Sequence, residues 1–258
     1  MMSESHGKAT CIMITANRSL LAERSIQCFL NQTYINKELL VIDDGKDDLE
    51  PLLQKYIPNQ YHYHRIEKKE GQNLGFLRNL GLQLAQGEYI AQWDDDDWYH
   101  PDRLKVQINA LKNGSSACIL QATLMHLSND EYMNHPYIGW LPGGVPGTIV
   151  HKNDSKTSYP LESRGEDTSF LDYWRTKGLT ILPMNYSHLF IRCFHGKNTW
   201  EEIHFTRRIR NNLSDSLSYF WFKYIKRDLY RHRRFQLNEN EINSIASFIH
   251  DSQRLGLF

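Results

Sequence analysis

The chain has few cysteines, no net charge and no long apolar run. Its four cysteines, Cys11, Cys28, Cys118 and Cys193, lie far apart and form no CxxC pair. Neither a disulfide framework nor a zinc site of the usual ligand spacing is expected, and the reducing cytoplasm is the compartment that fits. No apolar stretch approaches the roughly 20 residues of a spanning helix, and no charged-then-apolar leader opens the sequence. The expectation is a soluble protein, attached at most to the inner face of a membrane. Thirty Lys and Arg balance thirty Asp and Glu, which removes any charge argument for a nucleic-acid partner. Internal repeats, low-complexity tracts and HExxH-like histidine spacing are also missing. Aromatics are plentiful at 12%. The length suffices for one sizeable core, or one core with a small appendage.

Against that background one segment stands out. Asp94 to Asp97 are four consecutive acids that follow the apolar-aromatic run Tyr89 to Trp93 and lead into Trp98-Tyr99-His100-Pro101. Carboxylates so crowded repel one another, and each is costly to bury unpaired. A hard divalent cation removes that penalty. Mg²⁺ or Mn²⁺ typically binds one or two protein carboxylates together with substrate phosphates. An EF-hand does not fit, because Tyr99 falls where glycine is required and Lys105 where glutamate is required.

The surrounding pattern places the acids at a strand end. Thr10 to Thr15 and Glu38 to Ile42 read as buried strands, Tyr61 to Ile66 as an alternating strand and Tyr89 to Trp93 as a fourth. Helical periods run from Ser19, placed as a cap, to Asn31, from Leu49 to Tyr56 and from Leu74 to Ala85, with Gly87 at a helix end. Pro101 suits the first position of a helix reaching Asn113. Alternation of this kind predicts an α/β fold, a mainly parallel sheet flanked by helices. Ligands bind such sheets at the carboxyl ends of their strands, where Asp43-Asp44 and Asp94 to Asp97 both fall. In the second half, Cys118 to Leu127 and Glu131 to Tyr137 suggest a hairpin. Gly143 to Gly147 reads as a flexible loop, Asp167 to Lys177 as a helix and Leu189 to Cys193 as a strand.

Several ordered segments resemble family 2 glycosyltransferases of the GT-A (Rossmann-like) fold. They are Ile14 to Arg18, Asn31 to Tyr34, Glu38 to Gly45, Gly75 to Asn79, Gly87 to Ala91 running into the aspartates, and Gly165-Glu166-Asp167. The resemblance covers roughly residues 8 to 200. It implies a nucleotide-sugar donor, a divalent metal and inversion at the anomeric carbon. Carried over by position, Thr15, Asn17, Arg18, Asp43, Asp44, Arg78, Asp94, Asp95 and Glu166 would contact the donor. Asp94 and Asp96 form the DxD, with Asp96 the direct metal ligand and Asp95 near the ribose. The family usually has a small or apolar residue in the slot of Asp95. His195, in a segment His195 to Trp200 that resembles a C-terminal motif of some members, would complete the metal shell or meet the diphosphate. Asp167 would be the general base.

The implied activity is transfer of a sugar, from a UDP-sugar by the resemblance alone, to a hydroxyl of a carbohydrate or lipid-linked glycan. Two rivals are a nucleotidyltransferase, which needs a glycine-rich triphosphate loop where Ile14 to Arg18 has no glycine, and a non-catalytic nucleotide-sugar or carbohydrate binder. The expected organisation is a catalytic domain over 1–205 and a helical extension over 206–258. That extension carries nine Lys and Arg between residues 207 and 234, against Asp215 and Asp228, with Tyr219, Phe220, Trp221, Phe222 and Tyr224 interleaved. A helix over Ser214 to Arg234 would pack its aromatics on the catalytic domain or on a second copy in a homodimer, or lie on an anionic membrane. A polar helix from about Glu239 to Ile249 closes the chain.

Overall fold

The computed structural model describes residues 7–129, 131–161, 165–198 and 200–258. Asp130 of the Ser128 to Gly147 segment and Thr199 of the His195 to Trp200 segment lie outside them. In chain order, β1 (Ala9–Thr15), α1 (Ser19–Leu30), β2 (Lys37–Asp43), α2 (Glu50–Tyr56), β3 (Tyr61–Arg65), α3 (Leu74–Leu84) and β4 (Tyr89–Gln92) alternate. Next come β5 (Trp98–Tyr99), α4 (Arg103–Lys112), β6 (Ala117–Leu127), β7 (Tyr137–Lys152), α5 (Glu166–Lys177), β8 (Leu179–Leu182) and β9 (Phe190–Phe194). The helices α6 (Glu202–Thr206), α7 (Leu213–Phe220) and α8 (Glu239–Arg254) finish the chain.

Two compact units divide these elements. The first comprises residues 1–96, 101–119 and 146–180. Its sheet has β3, β2, β1 and β4 in parallel, with β7 antiparallel on β4. The near-continuous apolar runs of β1 and β2 follow from burial on both faces, as parallel strands between helices require. Helix α3 comes close to β1 because Gly81 has no side chain: a Cβ there would stand 2.5 Å from Ile12 Cγ2. That contact brings Arg78, one turn earlier, against the sheet, where it is 6% exposed. Tyr159, Phe170, Leu171 and Trp174 form a second apolar cluster under α5.

The second unit comprises residues 97–100, 120–145 and 181–258. Here β9 runs parallel to β6 and antiparallel to the short β5. Its core gathers Met125, Tyr132, Tyr137, Phe205, Ile209 and Tyr219. Helix α8 opens with a capping box between Asn238 and Glu241 and is tied down by Trp98 Nε1 donating to Asp251 at 3.0 Å.

Several local expectations need correction. Ser19 makes no cap; Arg18 occupies that position and Ser19 Oγ donates to Asp47 at 2.9 Å. Gly87 does not end α3, which stops at Leu84; a Cβ there would lie 2.7 Å from Lys8 O and Thr10 N, so it serves close backbone approach. Pro101 does not open α4 but lies just before its cap position, Asp102, with the helix starting at Arg103. Gly143 to Gly147 is not a loop but the middle of β7, and the segment after Glu131 is a turn. The basic C-terminal helix is not continuous: α7 passes into a π turn over Trp221–Ile225 and then two short 3₁₀ turns. Arg227, at φ 52°, has a left-handed conformation that ends the regular spiral.

Candidate active site at the strand ends

The carboxyl ends of β2, β1 and β4 lie side by side, and the chemistry concentrates there. Thr15, last residue of β1, sits opposite Asp43 in the β1–β2 register. Its hydroxyl donates to Asp95 at 2.7 Å. Asp43 is buried and accepts from Gly45 N at 2.8 Å and from the Tyr63 hydroxyl at 2.7 Å. Asp44 pairs with Lys68 at 3.4 Å. Asn17 takes a left-handed backbone, φ 54°, and its side chain accepts from Lys46 N at 2.7 Å, which ties the β1 loop to the β2 loop.

The acids of the run have separate partners. Asp94 accepts from Gln92 Nε2 at 3.2 Å and from Arg78 at 3.4 Å. Arg18 spans the next two, reaching Asp95 at 2.8 Å and Asp96 at 3.0 Å. Asp97 belongs to the second unit, where its carboxylate accepts from Cys193 N at 2.9 Å, a supporting bond within the strand network. The main chain is held as well, since Ser25 Oγ donates to Asp94 O at 3.0 Å and Arg24 to Asp96 O at 2.7 Å. Burial, and then the neighbouring Asp96, push the Asp95 carboxyl up to about 8 against the opposing pull of Arg18 and Thr15.

Arg78 connects the run to α5. Besides Asp94, its guanidinium pairs with Glu166 at 3.2 Å and forms a close ion pair with Asp167. Asp167 therefore does not cap its helix; Gly165, at φ 83°, holds the cap position. The Tyr159 ring lies 5.3 Å from the guanidinium carbon and stacks on Phe170 at 3.8 Å. Asn79 fixes Tyr159 by exchanging hydrogen bonds with its backbone N–H and C=O at 2.7 and 2.8 Å. A small cleft opens here, with Ile12, Ile14, Leu82 and Ile90 as its apolar lining and Arg78, Gln92 and Asp94 as its polar one. Gly147 of β7 passes close by, for a Cβ on it would stand 3.7 Å from Asp94.

Eleven of the residues singled out in the sequence thus lie in the first unit: Thr15, Asn17, Arg18, Asp43, Asp44, Arg78, Asp94, Asp95, Asp96, Glu166 and Asp167. His195 lies in the second, where its amide donates to Asn198 at 2.8 Å. Sequence reasoning missed Arg24, Ser25, Gln92 and Tyr159. Ser25 had a signal: it sits three residues after Ala22 and four before Phe29, a polar residue on the apolar stripe of α1.

Asp94 and Asp96 have side chains 29% and 15% exposed, hard oxygen donors that a cation could reach from the open side. Asp95, at 1%, is closed off. Among the described residues no three His, Cys, Asp or Glu side chains gather as a ready cage. The donor set therefore fits Mg²⁺ or Mn²⁺ taking two carboxylates and completing its shell with ligand oxygens, and does not fit a closed structural site.

A mixed sheet with acids and arginine at its strand ends is a GT-A type of fold. Solved structures agree: the Staphylococcus aureus TarS fragment 1–349 in complex with UDP matches with a TM-score of 0.58 at 17% identity, over 96% of this chain and 82% of that one. The Pyrobaculum calidifontis mannosyltransferase PcManGT, in complex with GDP-Man and Mn²⁺, matches at 0.55 and 14%, over 97% and 76%. Residues 10–200 match the family model of glycosyl transferase family 2, and the chain belongs to that family. Curated relatives include the putative colanic acid biosynthesis glycosyl transferase WcaA of Escherichia coli, 40% identical over 36% of this chain and 34% of WcaA. The cholesterol galactosyltransferase of Borreliella burgdorferi is 32% identical over 42% of this chain and 30% of its own length. The matched stretch thus spans about a third of these relatives.

Proposed function

We propose that the chain transfers a sugar, with inversion, from a nucleoside-diphosphate sugar to a hydroxyl of a glycan or lipid-linked acceptor in the cytoplasm. One observation carries the reading: the buried Arg78 ties the part-exposed strand-end acid Asp94 to the helix acids Glu166, buried, and Asp167, part-exposed. The tie puts an acid able to take a proton beside the DxD candidates. In this reading residues 1–205 form the catalytic domain and 206–258 a helical extension.

Asp167 accepts the acceptor hydroxyl proton as that oxygen attacks the anomeric carbon from the face opposite the leaving group. The Arg78 ion pair keeps Asp167 oriented until the acceptor arrives. Asp43 or Asp44 meets the base or ribose, while Asp95, closed off behind Arg18 and Thr15, props the donor cradle from beneath rather than touching the ribose. Thr15, Asn17 and Arg18 shape the donor cradle, and Arg78 adds positive charge near the diphosphate. Asp94 and Asp96 would hold Mg²⁺ or Mn²⁺. When bound, such an ion supplies positive charge to the departing diphosphate. A UDP-sugar is the donor we favour, since TarS, similar in fold, has been solved in complex with UDP-GlcNAc. The relative WcaA, a putative colanic acid biosynthesis glycosyl transferase, supports a glycan acceptor.

A thermal-shift panel of nucleotide-sugars with and without Mn²⁺ tests the reading. One donor should raise the melting temperature only with metal, by an amount set by its concentration relative to Kd. Incubation with acceptor should then release a nucleoside diphosphate. No stabilisation by any nucleotide-sugar, or release of pyrophosphate instead, overturns it.

A further inference from the structure

We infer that α7 and the π turn after it form a docking face for a bilayer surface bearing anionic headgroups. Leu213, Leu217, Phe220, Trp221, Tyr224 and Ile225 are 49–76% exposed. They fall at i, i+4, i+7, i+8, i+11 and i+12, which is one continuous helical face. Single exposed apolar residues are ordinary; six together on one stripe are not. The opposite face is fully committed. Asp215 is 0% exposed and held by Arg233 and Arg234 at 2.6 Å each, and Tyr219 belongs to the core of this unit. Of the aromatics expected to pack on the chain, Tyr219 does so, whereas Phe220, Trp221 and Tyr224 stay outside.

Charge chooses the occupant. Lys226 and Arg227 are exposed directly after the stripe in sequence, and Lys226 lies 5.5 Å over the Trp221 ring. The segment 207–234 has only two carboxylates: Asp215 is buried between its arginines, and Asp228 pairs with Arg231 at 3.1 Å. An isologous contact with a second copy would bring this cationic rim against itself, which like-charge repulsion disfavours. Anionic headgroups complement the rim, while Trp and Tyr suit the boundary between headgroups and acyl chains. No helix among the described residues is long and apolar enough to span a membrane, so the contact is one of lying on the surface.

The test is co-sedimentation of the full chain with phosphatidylcholine vesicles, with and without phosphatidylglycerol. Binding should need phosphatidylglycerol and weaken with salt. Removing Lys226 and Arg227 charges (Lys226→Gln, Arg227→Gln) should cost about fivefold in partitioning for each cation. Phe220→Glu with Trp221→Glu should lose at least about tenfold while melting at the wild-type temperature. If that variant does not fold, brominated acyl chains give a second readout, quenching wild-type fluorescence more than that of Trp221→Phe. Three results overturn the inference: no binding to anionic vesicles, equal quenching of the two proteins, or a wild-type dimer in sedimentation velocity that the glutamate variant dissociates. Donor-induced thermal shifts are independent of this face and should be the same in all variants.

Discussion

The strand-end acids and the α7 segment reverse the usual rule of burial in opposite senses. In the first region ionisable side chains are inside: Asp43, Asp95, Arg78 and Glu166 are each under 7% exposed, and each is paired or hydrogen-bonded. In the second, large apolar side chains are outside, with Lys226 over the Trp221 ring. Buried charge is tolerated only where geometry compensates it, so its concentration marks a place built to meet a polar ligand. Exposed apolar surface has no internal compensation at all, so its concentration marks a place that completes itself on something external.

The largest effect should come from the first region. Asp167→Asn should lower turnover about 10²–10⁴-fold while changing donor affinity little, as steady-state kinetics and donor thermal shifts would show together. A comparable loss of donor binding would make Asp167 a donor contact instead. Next is Asp215→Ala, a test of a place where the second region also buries charge. Removing the acid leaves Arg234 buried without its counter-charge and should cost about 3–5 kcal/mol in urea unfolding.

Asp95→Asn should act through pH. The folded carboxyl near 8 lies well above the unfolded value near 4, so the native state keeps a proton that the unfolded chain releases between those values. Wild-type stability should therefore fall relative to the variant as pH rises from about 4 to about 8. A relative drop of a few degrees in melting temperature is the expected scale, and a rise instead would show that Arg18 and Thr15 dominate. The smallest effect belongs to the outward face: Leu217→Ser should change stability by less than about 0.5 kcal/mol, and a larger loss would mean the stripe packs on protein.

Much of the first region was legible because its signals are local. Unbroken apolar runs in β1 and β2 have no other home than a doubly covered sheet, and acids directly after such runs must face the strand ends. What pairs with the acids was not legible. Arg78 meets Asp167 across a long stretch of chain, and nothing in the spacing of either announces the other. Gly143 to Gly147 looked like a loop because glycine and proline disfavour strands locally, yet β7 runs through them. The C-terminal helix looked continuous because its apolar period carries on past the π turn, while the break at Arg227 is a backbone event that side-chain pattern does not record.

Helix α1 grips the aspartate run by its main chain, with Ser25 and Arg24 on the carbonyls of Asp94 and Asp96 and the Trp93 indole donating to Ser25 O at 3.3 Å. Part of what holds the loop therefore does not involve the acidic side chains. An alanine or asparagine at Asp94 or Asp96 should leave the loop where it is, so whatever such a variant loses can be assigned to the missing carboxylate. Substituting Ser25 or Arg24 would do the converse, moving intact acids out of place, and would expose positional error as a cause of inactivity separate from missing chemistry.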